Sequence, residues 1–230
     1  MDQGTQHHHV SCLKQVPIFN HLDNDAMNLI AKRAVTRQLK KGDYIYQASD
    51  KTDALFIVHK GAVRVFRLVE SGREQIIRIL TPGEFAGEWA VFTEDKSQEE
   101  FAQAMTDSSI CLIYQEDLQE FLIEYPAIAN HLLSQMAMRL AQSDQQTTTL
   151  STEQVDKRLA QFLVNQVETD EEENIVITLN FSRKDIASYL GTTPETISRK
   201  FKELEQKGLI EQLSLKKIKI IDLDDLVFYE

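Results

Sequence analysis

No apolar run in this sequence approaches the roughly 20 residues that a membrane-spanning helix needs. The opening residues, MDQGTQHHHVSC, have neither a basic region nor an apolar stretch of the kind that marks a secretory signal, so the expected compartment is the cytoplasm and no membrane partner is expected. Nucleophile elbow, P-loop, H-E-x-x-H and dinucleotide fingerprint are all missing, which leaves little support for an enzyme. Internal repeats are missing too. Cysteine is scarce, with only Cys12 and Cys111.

What is present is ordinary in bulk and uneven in detail. A hydrophobic fraction of 42% and a charged fraction of 27% suit a globular protein long enough for one large domain or two smaller ones. The net charge of −11 argues at first against nucleic acid. Between Ser182 and Lys219, however, nine Lys/Arg face five acids, a local +4. A basic face on an acidic protein can still neutralise phosphates.

That window holds the most informative stretch, SRKDIASYLGTTPETISRKFKELEQKG, residues 182–208. Ser182 with Asp185 three positions on is a helix-start signal, and Gly191 ends the first helix. Thr192 or Thr193 can cap a second helix that begins near Pro194. At about 100° per residue, Ile197, Phe201 and Leu204 share one side of it. Glu195, Ser198, Arg199 and Lys202 share the other, with Thr193 at its start. Such a row can donate to and accept from base edges in the major groove, so the pattern predicts a DNA-binding helix-turn-helix. A solvated amphipathic hairpin is the bland alternative. Beyond Gly208, two predicted strands with a turn near Ser214 form a wing whose Lys216 and Lys217 are placed to meet phosphates.

Upstream the grammar differs. Residues 35–115 consist of short alternating or apolar runs, with Gly42, Gly61, Gly72, Gly83 and Gly87 between them, and predict a compact β domain with a hairpin tip at Ser71 and Gly72. Residues 116–150 are helical apart from a break at Pro126. Ile128, Leu132, Met136 and Leu140 recur at a spacing of four, which predicts a dimerisation seam; packing on the β domain is the alternative. The expected divisions are residues 1–115 for N-terminal arm and β domain, 116–150 for the connecting helix and 151–230 for the DNA-binding domain. An acidic loop at 168–174 is expected to be a solvated connection.

KKGDYIYQASD, LFIVHKGAVRVF, PGEFAGEWAVF and DIASYLGTTPETISRKFKELEQKGLI together resemble the family of the cAMP receptor protein and the anaerobic regulator FNR, over most of the chain. The resemblance implies an α+β chain. Its parts would be a cyclic-nucleotide-binding-like β-roll (jelly roll), a long dimerisation helix and a C-terminal winged helix-turn-helix. It also implies a homodimeric transcription regulator of double-stranded DNA, with RNA polymerase as a partner if it activates. The order Glu195, Ser198, Arg199 resembles the FNR pattern E-x-x-S-R and implies TTGA-type half-sites. Physically, Arg199 can bridge O6 and N7 of a guanine while Glu195 accepts from an exocyclic amine.

The resemblance also bears on the sensor. Gly87 and Glu88 match the ribose end of the family's nucleotide cassette, but Gln98 and Glu99, followed by Glu100, stand where its phosphate-binding Arg-Ser pair belongs. Carboxylates are electrostatically wrong for a phosphate, so cAMP is not expected. FNR holds a [4Fe–4S] cluster with four cysteines, so a cluster of that kind is not expected on two. Cys12 in the arm and Cys111 in a strand, as in FNR-like proteins of lactic acid bacteria, could instead close a sensing disulfide; equally, both could be inert. His7, His8, His9 and Cys12 could bind zinc or a similar metal. A regulator of the same fold answering to a small ligand or a metal, or a ligand-binding module without specific DNA recognition, are the competing readings.

Overall fold

The computed structural model describes residues 10, 12–69, 72–152, 154–167 and 175–229, and the side chains of all of these but 90, 142 and 144–152. The chain divides into two compact units, Met1–Ala141 and Gln142–Glu230.

Side-chain alternation explains the first unit. In β3 (Ala54–Lys60) the apolar run is buried on both faces. Phe56 and Val58 join the core between two sheets, whereas Leu55 and Ile57 join a second core on the outer face. Strand β8 (Ser108–Tyr114) repeats this, with Ile110 in the inner core and Cys111 and Ile113 in the outer one. Around these strands lie β1 (Val35–Leu39) and β6 (Phe85–Ala86) in a sheet of order β1-β8-β3-β6. A second four-stranded sheet, order β2-β7-β4-β5, is built from β2 (Tyr44–Tyr46), β4 (Val63–Leu68), β5 (Glu74–Leu80) and β7 (Phe101–Ala104). All pairings are antiparallel. This is the expected β-roll. Ser71, one half of the expected hairpin tip, lies outside the described residues.

The outer core is closed by helices. Asp23 caps α1 (Asn24–Arg33) by accepting the Ala26 N–H at 2.8 Å. Short α2 (Glu88–Phe92) follows β6, and α3 (Gln115–Glu124) follows β8. Arg33 joins α1 to α3 through Asp117 and Glu120. The break expected at Pro126 is there: Tyr125 leaves helical geometry (φ −125°, ψ 76°) and Pro126 opens α4 (Pro126–Thr152).

Two expectations need correcting. Cys12 does not sit in a loose arm: Cys12, Leu13, Val16, Ile18 and Phe19 are at most 1% exposed in the outer core. Gly83 makes room for this segment, because a Cβ there would stand 2.5 Å from the Gln15 carbonyl oxygen, at a φ of +92° that favours glycine anyway. The spacing-of-four row on α4 is likewise not an open seam. Ile128 and Leu132 are buried in the outer core and Met136 packs against it. Leu140, the fourth member, is exposed, as is Leu133 one position off the row. The β-roll is the nearest apolar surface, and it takes the stripe that the pattern offered to a partner chain.

The second unit comprises α5 (Val155–Val164), β9 (Val176–Thr178), α6 (Arg183–Tyr189), α7 (Pro194–Gln206), β10 (Ile210–Gln212), β11 (Lys217–Ile220) and α8 (Leu223–Val227). Its sheet has the order β10-β11-β9, and Leu159, Leu163, Ile186, Phe201 and Leu226 lie in one core with it. The acidic loop expected at 168–174 lies outside the described residues. Lys200 on α7 is a strut within this unit, 3.1 Å from Asp156 of α5 and 2.6 Å from Glu203. Burial works to raise the Asp156 carboxyl, but the hydrogen bond and charge of Lys200 outweigh it and hold it below the usual carboxylate range. Among the described residues no helix is long and apolar enough to cross a membrane.

Two measurements check this packing. Ile128→Ala should cost about 2–5 kcal/mol of stability in urea unfolding, as for a filled core site. Ile123→Ala, at a side chain 81% exposed on α3, should stay within about 0.5 kcal/mol of the parent. For the strut, a depressed folded-state pKa means that stability is present above the unfolded carboxylate range and is lost as pH falls through the folded value. Asp156→Asn should therefore cost about 1 kcal/mol at neutral pH. That difference should shrink toward zero in acid.

Candidate nucleic-acid interface

The helix-turn-helix is set by local chemistry. Ser182 caps α6 in a reciprocal box: its Oγ accepts the Asp185 N–H at 3.1 Å, and Asp185 Oδ2 accepts the Ser182 N–H at 3.0 Å. Gly191 turns the chain with φ +64°. Of the two threonines that could cap the next helix, Thr193 does so, its Oγ1 accepting from the Thr196 N–H at 3.3 Å with Pro194 at the first helical position. Ile197, Phe201 and Leu204 are fully buried. The Arg183 guanidinium lies 3.3 Å over the Phe201 ring and donates to Gln212 at 2.7 Å, closing the stripe from α6.

With that stripe buried, the opposite row is exposed: Thr193, Glu195, Ser198, Arg199 and Lys202. The Glu195 carboxyl is held below its ordinary range by its own backbone N–H and by the Thr193 hydroxyl, so it stands as an ionised acceptor. Ser198 donates its hydroxyl to the Pro194 carbonyl at 2.8 Å and presents a short, flush surface. Arg199 is 68% exposed, and its only ion pair among the described residues is a long one, 3.7 Å from Nε to Glu203. Both terminal nitrogens of its fork remain open for a bidentate contact.

The wing turns at Ser214, whose Oγ accepts the N–H groups of Lys216 (3.2 Å) and Lys217 (3.0 Å). Both lysines are exposed at the tip. The +4 window is less generous than its charge count, since three of its cations are used internally. Arg183 is on Phe201 and Gln212, Lys200 is the α5 strut, and Lys207 donates to the Tyr229 hydroxyl at 2.6 Å. Of the other six of the nine cations, Lys184, Arg199, Lys202, Lys216 and Lys217 are exposed and Lys219 is half-buried.

The two cysteines meet. Cys12 and Cys111 are both buried, and the Cys12 thiol donates to Cys111. That bond raises the Cys12 pKa, with burial adding to the rise; it lowers the Cys111 pKa, helped by Thr36 and opposed by burial. Cys12 is therefore part of the apolar core, with the Cys111 thiol beside it. His7, His8 and His9 lie outside the described residues. Among the described residues no group of three or more His, Cys, Asp or Glu side chains is arranged to hold a metal. A four-thiolate cluster does not fit this paired, sealed site.

Gly87, Glu88, Gln98, Glu99 and Glu100, the stretch compared above with the family's nucleotide cassette, line a cavity of about 420 Å³ in the first unit, and sequence reasoning missed the other walls, Tyr46, Arg67, Arg78 and Met136 among them. Its arginines come from β4, β5 and, at Arg139, the helix α4 beside it, and positions so far apart give no local signal. Glu99 and Glu100, expected to repel a phosphate, are each 3.1 Å from Arg67. Gln98 holds their segment in place, its side chain donating to Thr52 at 2.6 Å. The arginines that line the cavity, Arg67 and Arg78, thus have carboxylate partners from within the chain.

Comparison with known proteins accords with this geometry. Residues 36–125 match the cyclic nucleotide-binding domain family and residues 157–228 the Crp-like helix-turn-helix domain family. The transcriptional activator Anr of Pseudomonas protegens is 35% identical over 82% of this chain and 77% of its own. The regulator Flp of Lacticaseibacillus casei is 28% identical over 94% of this chain and 96% of its own. Among solved structures, FixK2 of Bradyrhizobium japonicum superposes with a TM-score of 0.74 at 26% identity, over 84% of this chain and 95% of its own. A β-roll of the cyclic-nucleotide-binding type followed by a winged helix-turn-helix, matched over nearly its full length by such regulators, places this chain in the CRP/FNR family of transcription regulators.

Proposed function

We propose that this regulator binds a two-fold DNA site as a homodimer, reads TTGA-type half-sites through Glu195, Ser198 and Arg199, and is set by the redox state of Cys12 and Cys111. The observation that carries the DNA reading is the pairing of a fully buried stripe, Ile197, Phe201 and Leu204, with an exposed row that holds an ionised acceptor and an open guanidinium fork. Arg199 serves a guanine, Glu195 an exocyclic amine on the opposite strand, and Lys202, Lys216 and Lys217 the phosphates. In gel shifts at fixed salt, Arg199→Ala should cost about 1–3 kcal/mol and relax discrimination at the guanine. Lys216→Ala should weaken all sequences alike. Unchanged discrimination in Arg199→Ala would mean that another element reads the bases.

The dimer reading shifts by one position along α4. Ile128 and Leu132 serve the chain's own core, which leaves Leu133, Ala137 and Leu140, exposed and spaced four then three apart, as the stripe for a second copy. Regulators of this family bind DNA as dimers, and that supports the assignment. The double variant Leu133→Glu/Leu140→Glu should sediment as a folded monomer and lose most of its DNA affinity. A folded variant that stayed dimeric would place the seam elsewhere.

The thiol reading rests on the contact between two buried sulfurs that come from distant parts of the chain. Closing the disulfide forms one S–S bond and releases two protons and two electrons. A peroxide accepts them and leaves as two waters. Because Cys12 belongs to the segment that covers the outer face of the β-roll, the bond would fasten that segment to β8. We expect oxidised and reduced protein to differ in DNA affinity and the Cys12→Ser/Cys111→Ser variant to be indifferent to peroxide. Equal affinity in all three would make the cysteines packing residues only. The protein is read as independent of cAMP.

A further inference from the structure

The cavity beside α2 is crossed by an alternating row of charge. Glu99 and Glu100 each stand 3.1 Å from Arg67, and Glu100 is 3.9 Å from Arg78. Arg78 is 2.9 Å from Glu88, which is 3.0 Å from Arg139 on α4. The order Glu99, Arg67, Glu100, Arg78, Glu88, Arg139 alternates without a break, and three guanidinium charges cancel three carboxylates. The middle members are well covered, with side-chain exposures of 19% for Glu100, 26% for Arg78 and 18% for Glu88. Arg139 closes the row by donating to the Phe85 carbonyl at 2.9 Å and lying 4.0 Å over the Phe85 ring.

Buried ions are tolerated when each is paired, and a cluster of arginines around a cavity ordinarily asks for an anion. Here that demand is met from within. An incoming phosphate would have to displace both carboxylates from Arg67 and would then lie beside them, unpaired and close. The same row runs from the second sheet through α2 to α4, so whatever fixes the arginines also fixes the helix on the β-roll.

We propose that this cavity is an anion site occupied by the chain's own carboxylates. Glu99 and Glu100 hold the places on Arg67 and Arg78 that a phosphate or phosphodiester would hold, and the row braces α4 against the β-roll through Glu88 and Arg139 with no external ligand. The closed arrangement of sensor and helix is then built in, and the site takes an anion only when its carboxylates are neutralised. This proposal rests on the reading of the protein as independent of cAMP and stands apart from the thiol reading and from the choice of DNA bases.

Calorimetry on the full-length chain tests it, with inorganic pyrophosphate and cAMP as probes. The natural chain should give no heat with either at millimolar concentration. Glu99→Gln/Glu100→Gln, which keeps the shape and removes both charges, should gain pyrophosphate binding at least tenfold tighter than the natural chain. Adding Arg67→Gln should abolish the gain. Heat with cAMP as well would show that the cavity admits a phosphodiester, and heat with pyrophosphate alone that it admits only the smaller anion; both support the site. Should the double variant not fold, Glu99→Gln alone, at a side chain 70% exposed, carries the same expectation at lower gain. A folded variant that binds neither probe, or a natural chain that binds as tightly as the variant, would overturn the proposal. For the brace, Arg139→Met should speed amide exchange in residues 133–140 several-fold, and unchanged exchange would show that the row does not hold α4.

Discussion

Burying Ile197, Phe201 and Leu204 leaves α7 no freedom in what it shows to solvent. At 3.6 residues per turn, the positions opposite that stripe are those of Glu195, Ser198, Arg199 and Lys202, and Phe201, clamped under the Arg183 guanidinium at 3.3 Å, stops the helix from rolling. Presenting a recognition row is thus a consequence of packing. The capping interactions at Ser182 and Thr193 then set where each helix begins, and so which turn of the second one leads.

The same constraint acts on α4 with a different result. A helix has one most apolar stripe, and it goes to whichever apolar surface the fold brings closest. For Ile128 and Leu132 that surface is the outer face of the first sheet, which already carries Leu55, Ile57 and Ile113. A stripe spent on the chain's own core cannot also serve a partner, so contact with a second copy falls to the thinner, exposed row beside it.

Several of the charges in this molecule are paired internally. Lys200 ties α5 to α7, Lys207 holds Tyr229, and the three arginines around the cavity are matched by three glutamates. What remains outward on α7 and the wing is a small set of cations in an acidic protein. That distribution suits a regulator that must leave non-specific DNA readily. The thiol pair lies at the opposite extreme, in a core without charged neighbours.

Much of this was legible in the residues because its causes are local. Ser182 with Asp185, Gly191 before a threonine, Pro194 at a helix start and the stripe Ile197, Phe201, Leu204 act within a few positions, so they can be read in order. The β-roll was legible for the same reason, from alternating runs between glycines. Three things were decided only in three dimensions. The row at Ile128 and Leu132 has the same period whether it meets a β-sheet or a second helix, and only the fold supplies the partner. Cys12 reads as part of a loose arm until Gly83 gives its segment a place to lie. Arg67, Arg78 and Arg139 carry no common pattern, because a charge finds its counter-ion by distance through space, which the order of residues along a chain does not record.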